Sequence, residues 1–246
     1  MTLQNLNDCR FLVVGGSSGI GLATAIAAAR AGASVTIASR SRDKLDAALG
    51  GIGIGADAAV LDTTDGEAVE RFFARGAPWH HVAVSAAQTA RGPVRALALD
   101  DARAAMDSKF WGAYRVARAA RIEPGGSLTF VSGYMSERPQ AAAPLQGAIN
   151  AALESLARGL ALELAPVRVN TVSPGLIETP LWSRMPERDR AAMYASAADR
   201  LPARRVGQPE DVANAVLFLA SDDSSFITAS DFLVDGGIAG AYVTPL

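Results

Sequence analysis

Residues 15–21 read Gly-Gly-Ser-Ser-Gly-Ile-Gly, a composition and spacing that can hold a pyrophosphate. Glycines let a phosphate approach the backbone closely, because they carry no Cβ that would block it. The free N–H groups at the start of a helix attract the negative charge, and serine hydroxyls add further donors. A glycine-rich turn without a ligand is the alternative interpretation. The contacts predicted here are Gly15, Ser17, Ser18, Gly19, Ile20 and Gly21.

The sequence on either side of this loop predicts the two elements that such a site requires. The apolar run 11–14 before the loop is typical of a buried parallel strand. After the loop, Ile20, Ala23, Ile26 and Ala27 follow the spacing of an apolar helix face. Strand, glycine turn and helix in this order are the setting of a dinucleotide-binding loop.

The loop spacing, Gly-x-x-x-Gly-x-Gly, resembles the cofactor loop of the short-chain dehydrogenase/reductase superfamily, although Val14 stands where that family usually has Thr. The resemblance extends along nearly the whole chain. It implies a Rossmann fold and an oxidoreductase that acts on a small carbonyl or alcohol substrate with a nicotinamide cofactor.

The composition excludes several other classes of function. A net charge of −2 gives no electrostatic basis for binding nucleic acid or an acidic membrane surface. Cys9 is the single cysteine and cannot form an internal disulfide, which fits a reducing compartment. The N-terminal segment lacks the pattern of a secretory signal, and no apolar run reaches membrane-spanning length. We therefore expect a soluble, cytoplasmic protein.

Alternating strand and helix patterns predict an α/β fold with a doubly wound parallel sheet, in a single domain over residues 1–246. Gly32 is predicted to end the first helix, and the glycines between 50 and 55 to form a flexible connector. We expect strands at 11–14, 34–38, 58–61, 81–84, 127–131, 168–172 and 232–234. We expect later helices at 41–49, 65–73, 101–120, 147–164 and 210–219.

The residues after the second predicted strand favour NADP over NAD. An NAD site places an acidic residue about 20 positions beyond the glycines, where it holds the ribose hydroxyl. Here Ser39 and Arg40 occupy that place, with Arg42 just beyond. A guanidinium can hold a 2′-phosphate through paired hydrogen bonds, whereas a carboxylate would repel it. The alternative is that both arginines are solvated charges at the start of a helix.

The family resemblance implies further cofactor contacts after other strands. Asp62 corresponds to the residue that meets the adenine, although it could instead cap the next helix, a role that suits Asp65 better. The segment 174–179 matches the Pro-Gly-x-x-x-Thr motif that meets the nicotinamide. Small residues follow the fourth strand, so the backbone can approach the cofactor there. The contacts assigned in these last two segments are Ser85, Ala86, Ala87, Pro174, Gly175, Ile177 and Thr179.

Two further features have weaker functional interpretations. His80 and His81 are adjacent on a predicted strand and point to opposite faces, so we expect no metal site. The segment around 176–205 lies where the family carries its substrate lid. Its larger side chains suit either an apolar pocket wall or the packing of an amphipathic helix. These side chains are Leu181, Trp182, Met185, Met193 and Tyr194.

The resemblance fails at the four positions where most members of the family carry Asn, Ser, Tyr and Lys. In the family the Tyr donates or accepts the proton, and the Lys lowers the pKa of that Tyr and holds the nicotinamide ribose. Lys109 stands in the Asn position, and Gly133 stands in the Ser position. Gln146 stands in the Tyr position, and Asn150 stands in the Lys position. All four residues therefore differ from the usual set.

Two interpretations of this departure remain open. In the first, the chain binds NADP(H) without catalysis, as a sensor or a partner subunit. In the second, Lys109 and Asn150 have exchanged places, so that an ammonium still reaches the ribose, while Ser132 and Tyr134 offer hydroxyls beside Gly133. Loss of general acid help costs about 10²–10⁴ in rate, which slows the chemistry without forbidding it. We favour the second interpretation, with Lys109, Ser132, Tyr134, Gln146 and Asn150 as catalytic candidates.

The predicted helix 147–164 is rich in alanine and apolar over much of its surface. Such a face needs a partner. In the family, the corresponding helices pair between subunits, commonly in tetramers. The resemblance therefore implies a homo-oligomer, and we expect a tetramer.

Overall fold

A single parallel sheet organises residues 5–240, the part of the chain that the computed structural model describes. The strands are β1 (Arg10–Val14), β2 (Ser34–Ser39), β3 (Asp57–Val60), β4 (Trp79–Val84), β5 (Ile122–Val131), β6 (Arg168–Pro174) and β7 (Asp231–Val234). Their order across the sheet is β3-β2-β1-β4-β5-β6-β7, and every neighbouring pair is parallel. The predicted doubly wound sheet is therefore confirmed. The order reverses between β1 and β4, which is where such sheets bind ligands.

Helices cover both faces of this sheet. They are α1 (Gly19–Arg30), α2 (Arg42–Ile52), α3 (Gly66–Phe73), α4 (Leu99–Met106), α5 (Gly112–Ala119), α6 (Pro144–Glu163), α7 (Glu187–Arg200) and α8 (Pro209–Ala220). Short 3₁₀ turns lie at Tyr134–Ser136, Pro180–Trp182 and Asp222–Ser224. Within residues 5–240, none of the helices combines the length and the apolar character needed to cross a membrane.

Two apolar clusters form the core, one on each face of the sheet. Successive side chains of a strand point to opposite faces, so β1 contributes to both clusters. Leu12 and Val14 pack with Phe130 under α3, α5 and α6. Phe11 and Val13 pack in the second cluster under α1, α2 and α8. Because both faces are covered, β1 is apolar without alternation, which is the pattern seen in its sequence.

Helix α2 continues through two of the glycines that were predicted to form a connector. It ends at Ile52 and includes Gly50 and Gly51. Ile52 is buried in the core, and burial of such a side chain is worth about 1.5–3 kcal/mol, enough to offset the glycine cost of about 1 kcal/mol each. Only Gly53 and Gly55, at φ 120° and 92°, form the connector.

The long helix predicted over 101–120 is interrupted. One π-helical turn, Asp107–Trp111, separates α4 from α5. Such a turn inserts one extra residue into the helix and is frequent at functional sites. Other predicted boundaries of helices and strands differ less from the observed ones. Gly32, at φ 96°, follows the last residues of α1 as predicted, while β5 begins five residues before the predicted strand because Ile122 pairs with Trp79.

The buried histidine of β4 gives the fold a defined acid sensitivity. His81 is 7% exposed, its Nδ1 lies 3.0 Å from Ser127 Oγ, and its ring packs against Phe11. Burial, with a smaller contribution from the charge of Arg168, lowers the pKa of His81 from 6.5 to about 4. The folded chain therefore holds this imidazole neutral at pH values where the unfolded chain protonates it.

We expect the free energy of unfolding to fall as pH decreases from about 6.5 towards 4. The stabilisation from neutral His81 is complete above the unfolded pKa, and about 2 kcal/mol of it is lost by pH 5. His81→Gln should flatten this part of the profile in urea unfolding at pH 7 and pH 5. His80→Gln is the control, since His80 is the only other histidine. Equal losses in wild type and His81→Gln would contradict the assignment.

Candidate active site

The glycine loop lies at the carboxyl end of β1 and packs against the end of β4. Gly15 has a φ of 90°, and a Cβ built on it would lie 2.5 Å from the Ala86 nitrogen. A Cβ on Gly21 would overlap the carbonyl of Gly15. The N–H of Ser85 donates to the carbonyl of Val14 at 2.8 Å, which joins the two strand ends. Glycine is required here because backbone meets backbone without space for a side chain.

The start of α1 can receive an anion. Ser18 is the N-cap, but its side chain makes no capping hydrogen bond, and the first turn contains no acidic residue. The N–H groups of that turn therefore keep their capacity for a negatively charged ligand. A Cβ on Gly19 would lie 3.5 Å from the Thr179 side chain, so the loops after β1 and β6 meet beside this helix start.

The end of β2 carries groups that fit a phosphate on the ribose. Ser39 Oγ is buried without a hydrogen-bond partner, although buried hydroxyls normally have one. Arg40 is exposed and its Nη1 lies 3.3 Å from Gln88 Oε1, whereas Arg42 forms an ion pair with Asp46 inside α2. Arg40 and Ser39 thus have unused hydrogen-bonding capacity at the predicted phosphate position.

Asp65, and not Asp62, caps the helix that follows β3, while the contact of Asp62 with an adenine stays a prediction. Asp65 caps α3, because its side chain accepts from the N–H of Ala68 at 3.0 Å. Asp62 instead accepts from the N–H and hydroxyl of Thr64 at 2.9 and 2.8 Å. Partial burial acts to raise the pKa of Asp62, but these bonds, with the charges of Arg40 and Arg115, hold it below its ordinary value.

The segment after β6 completes the edge where the predicted cofactor contacts meet. The N–H of Gly175 donates to Val234 at 3.0 Å, and a Cβ there would lie 2.6 Å from Asp235. Ile177 is buried, and its carbonyl accepts from Trp182 Nε1 at 3.0 Å. The structure therefore brings the predicted segments after β1, β2, β3, β4 and β6 to one edge of the sheet. Their individual contacts with a cofactor remain predictions.

Lys109 is the central feature of the site. It lies in the π-helical turn and is only 6% exposed. Its Nζ donates to Asn150 Oδ1 and to the carbonyl of Ser132, both at 2.7 Å. Burial lowers the pKa of Lys109 from 10.5 to about 8, although the charge of Glu154 opposes this shift. The two residues whose places looked exchanged in the sequence are therefore in direct contact.

Gly133 provides the space that Asn150 occupies. Asn150 Nδ2 donates to the carbonyl of Gly133 at 2.9 Å. A Cβ built on Gly133 would lie 2.8 Å from that same Nδ2. The backbone of Gly133 is extended, at φ 161°, so space and not conformation restricts this position. A serine at residue 133 and the observed position of Asn150 exclude each other.

The side-chain amide of Gln146 leaves one buried oxygen without a partner. The Lys109 ammonium has only donors, so the Asn150 atom that it contacts is the oxygen. Gln146 approaches the same oxygen at 3.3 Å and must present its nitrogen. Gln146 is 8% exposed, and its Oε1 therefore remains a buried, unpaired acceptor.

Glu154 is the site residue that sequence reasoning missed. It is 5% exposed, and its Oε1 accepts from the hydroxyls of Ser132 and Ser136 at 2.7 and 2.6 Å and lies 3.2 Å from the Ser173 hydroxyl oxygen. Residues four apart share a helix face, so its position four residues after Asn150 was a signal that could have identified it.

The two hydroxyls predicted beside Gly133 have other partners. The hydroxyl of Ser132 donates to Glu154. It is therefore not directed to the place of the serine that the family usually has at position 133. Tyr134 is buried beside Met135, and its hydroxyl accepts from Gln140 Nε2 at 2.6 Å. Burial raises the pKa of Tyr134, with Asp235 adding to the shift and two arginines opposing it. Within residues 5–240, no hydrogen bond joins Tyr134 to Lys109, Gln146 or Asn150.

The predicted lid contains a 3₁₀ turn and α7. The guanidinium of Arg91 lies 5.3 Å from the ring centroid of Trp182, which connects this turn to the loop after β4. Ala197 of α7 packs with Leu201 and Val206, beside Tyr194. Met193 and Tyr194 of α7 are only partly buried, and the choice between a pocket wall and helix packing stays a prediction.

Comparisons with known proteins agree along nearly the full length. Residues 14–239 match the family model described as Enoyl-(Acyl carrier protein) reductase. Galactitol 2-dehydrogenase (L-tagatose-forming) of Cereibacter sphaeroides is 34% identical, over 96% of this chain and 97% of its own. Sorbose reductase of Schizosaccharomyces pombe is 36% identical, over 96% and 98%.

One similar solved structure is the NADPH-bound short chain oxidoreductase from Pseudomonas aeruginosa PAO1, described as containing an atypical catalytic center. It is 29% identical, with a TM-score of 0.90, over 97% of this chain and 99% of its own.

Proposed function

The chain belongs to the short-chain dehydrogenase/reductase superfamily, and from this we propose that it is an oxidoreductase that uses NADP(H) on a small carbonyl or alcohol substrate. The observation that carries the proposal is the buried Lys109 ammonium, held by Asn150 at the edge of the sheet where the predicted cofactor segments meet. A chain that had merely lost its catalytic residues would have no reason to keep a buried charge there, because burying it is costly.

The residues present fit NADP(H), whose nicotinamide supplies or accepts a hydride when bound. The glycine loop and the start of α1 would hold the pyrophosphate. Ser39 and Arg40 would hold the 2′-phosphate, and Asp62 would meet the adenine. The segment after β6, with Thr179, would hold the nicotinamide end. The similar NADPH-bound structure supports this choice of cofactor.

Lys109 would combine two roles that the family usually divides. Its ammonium has three N–H donors, two of which bind Asn150 and Ser132, so the third is available for a ribose hydroxyl. With a pKa of about 8, Lys109 can also exchange the proton of that third position near neutral pH, and the ribose hydroxyl would pass it to or from the substrate oxygen. Asn150 fixes the direction of this ammonium through its own bond to Gly133.

We propose that the substrate carries at least one hydroxyl group, which would donate to Gln146. Gln146 Oε1 is an unpaired acceptor and can only be satisfied by a donor, such as an alcohol O–H. A ketone oxygen in the same place would face it acceptor to acceptor. The names of two relatives, galactitol 2-dehydrogenase and sorbose reductase, support a polyol or ketose substrate.

The test is a titration with NADPH followed by an activity panel of polyols with NADP⁺ and ketoses with NADPH. Binding together with turnover supports the proposal. Binding without turnover on any substrate would favour the non-catalytic alternative, a sensor or partner subunit. Absence of NADPH binding would overturn both.

Cofactor preference depends on Arg40. We expect NADPH to bind roughly tenfold or more tightly than NADH, because a charge-assisted hydrogen bond contributes about 1.5–3 kcal/mol. Arg40→Ala should narrow this difference, whereas Arg42→Ala should change it less, since Arg42 pairs with Asp46. Calorimetry with both cofactors measures the difference. Equal dissociation constants for NADPH and NADH in the wild type would refute the assignment.

We further propose a homo-oligomer, with a tetramer as the expected state. The outer face of α6 presents small side chains and Leu162, which is 82% exposed. Trp111, in the π-helical turn, is 46% exposed. Exposed apolar groups of this size are typical of an interface. Light scattering at micromolar concentration measures the mass, and a monomer would exclude the assembly.

A further inference from the structure

The carboxylate of Glu154 lies in a site that binds it from three directions. The three serines around it come from the residue after β5, the following 3₁₀ turn and β6. Glu154 itself lies on α6, one turn after Asn150. An ionised carboxylate is acceptor-only, and its two shortest contacts here are the hydroxyl donors of Ser132 and Ser136.

Ser132 connects this carboxylate to Lys109. Its carbonyl accepts from Lys109 Nζ at 2.7 Å, while its hydroxyl donates to Glu154 at 2.7 Å and approaches the Asn150 carbonyl at 3.2 Å. Lys109 and Glu154 are both more than nine-tenths buried. An isolated buried charge costs several kcal/mol, and an opposite charge nearby offsets that cost.

Two other carboxylates around this network, within residues 5–240, have partners of their own. Asp107, in the same π-helical turn, forms an ion pair with Arg115 at 2.7 Å. Asp231, on β7, accepts from the hydroxyls of Thr171 and Ser173 at 2.6 and 2.7 Å. It lies one hydrogen-bond step beyond Glu154, because Ser173 contacts both carboxylates. Glu154 is therefore the carboxylate placed to balance Lys109.

We infer that Glu154 is a positioning residue for Lys109. Through Ser132, its carboxylate supplies the counter-charge that keeps the buried ammonium protonated and directed at the cofactor. Asn150 fixes the direction of the lysine, and Glu154 fixes its charge. This inference rests on the proposed contact between Lys109 and the cofactor.

The consequence is a pH dependence of cofactor binding. Only the protonated form of Lys109 offers the cofactor a positive charge, so NADPH affinity falls as pH rises through the titration of the lysine. Glu154→Gln keeps the shape and the acceptor oxygen but removes the counter-charge. In Glu154→Gln, the fall in NADPH affinity should then occur about one pH unit lower than in the wild type.

The experiment measures the NADPH dissociation constant by fluorescence between pH 6 and pH 9. The variants are Glu154→Gln, Lys109→Met and the double variant, with Glu163→Gln as the control because Glu163 is exposed on the same helix. We expect the pH midpoint of the fall in NADPH affinity to be lower in Glu154→Gln than in the wild type. In Glu163→Gln it should equal the wild-type value. Lys109→Met should abolish this pH dependence, with no further change in the double variant.

Each outcome separates this inference from the proposed function. A Glu154→Gln profile that superimposes on the wild type, while Lys109→Met weakens binding, overturns the role of Glu154 alone. Unchanged NADPH affinity in Lys109→Met overturns the proposed cofactor contact and this inference with it. If Glu154→Gln does not fold, Glu154→Asp is the second variant, because it withdraws the carboxylate from Ser132 by one methylene. The pH midpoint of the fall in NADPH affinity should still move down in Glu154→Asp, and an unshifted midpoint then overturns the inference.

Discussion

Lys109→Ala weakens NADPH binding by about ten- to a hundredfold at pH 7 if the ammonium holds the cofactor ribose. The estimate follows from a charge-assisted hydrogen bond, worth about 1.5–3 kcal/mol. Turnover on a substrate should fall as well, because the charge and the proton at Nζ are both lost. Calorimetry or a fluorescence titration measures the dissociation constant.

The matched control is Arg71→Ala, which removes an exposed positive charge of α3. It should leave NADPH affinity unchanged. A sharper test replaces Lys109 by Asn and Asn150 by Lys in one chain. Since the two side chains are 2.7 Å apart, their effects should be coupled, and the double variant should recover part of the affinity. If Lys109→Ala binds NADPH as the wild type does, the rearranged site is wrong and the non-catalytic alternative is favoured.

Gly133→Ser, which restores the residue type usual in the family, should damage this protein. The new Cβ would lie 2.8 Å from Asn150 Nδ2, so the end of the Asn150 side chain must shift and its bonds to Gly133 and Lys109 are disturbed. Overpacking of this kind typically costs about 1–3 kcal/mol of unfolding free energy. We also expect weaker NADPH binding, because the lysine loses the acceptor that directs it. Urea unfolding and cofactor titration measure the two effects.

The cause of this damage can be isolated by a second substitution. Asn150→Ala opens the space again, so the destabilisation in the double variant should be smaller than the sum of the two single effects. Gly50→Ser is the control, since a Cβ at Gly50 meets no atom within 4 Å. Strict additivity of Gly133→Ser and Asn150→Ala would show that the two positions do not compete for space.

The sequence alone determined the fold and the edge of the sheet at which the predicted cofactor segments meet. Apolar strand patterns, the glycine loop and Gly32 are local signals, because each depends on residues that are close together in the chain. They predicted the parallel sheet, the start of α1 and the edge at which the loops meet. The family resemblance also located positions 109, 133, 146 and 150 on their elements.

Tertiary structure decided what those four positions do together. Lys109 and Asn150 are 41 residues apart and touch only because α6 packs beside the π-helical turn, whose extra residue no local pattern indicated. Ser132, beside Gly133, was a catalytic candidate in the sequence, but its hydroxyl donates to Glu154 on a different element.

Burial explains why the sequence did not predict the roles of Glu154 and Gly133. A glutamate on a helix is usually solvated, so its spacing from Asn150 indicates the helix face of Glu154 but not its burial among three serines. A glycine in a strand-to-helix turn predicts flexibility, whereas Gly133 is required for the space that it leaves to Asn150. Local sequence specifies backbone conformation and polarity. Which side chains share a buried volume depends on how distant elements pack, and that packing brings Lys109, Asn150 and Glu154 into one site.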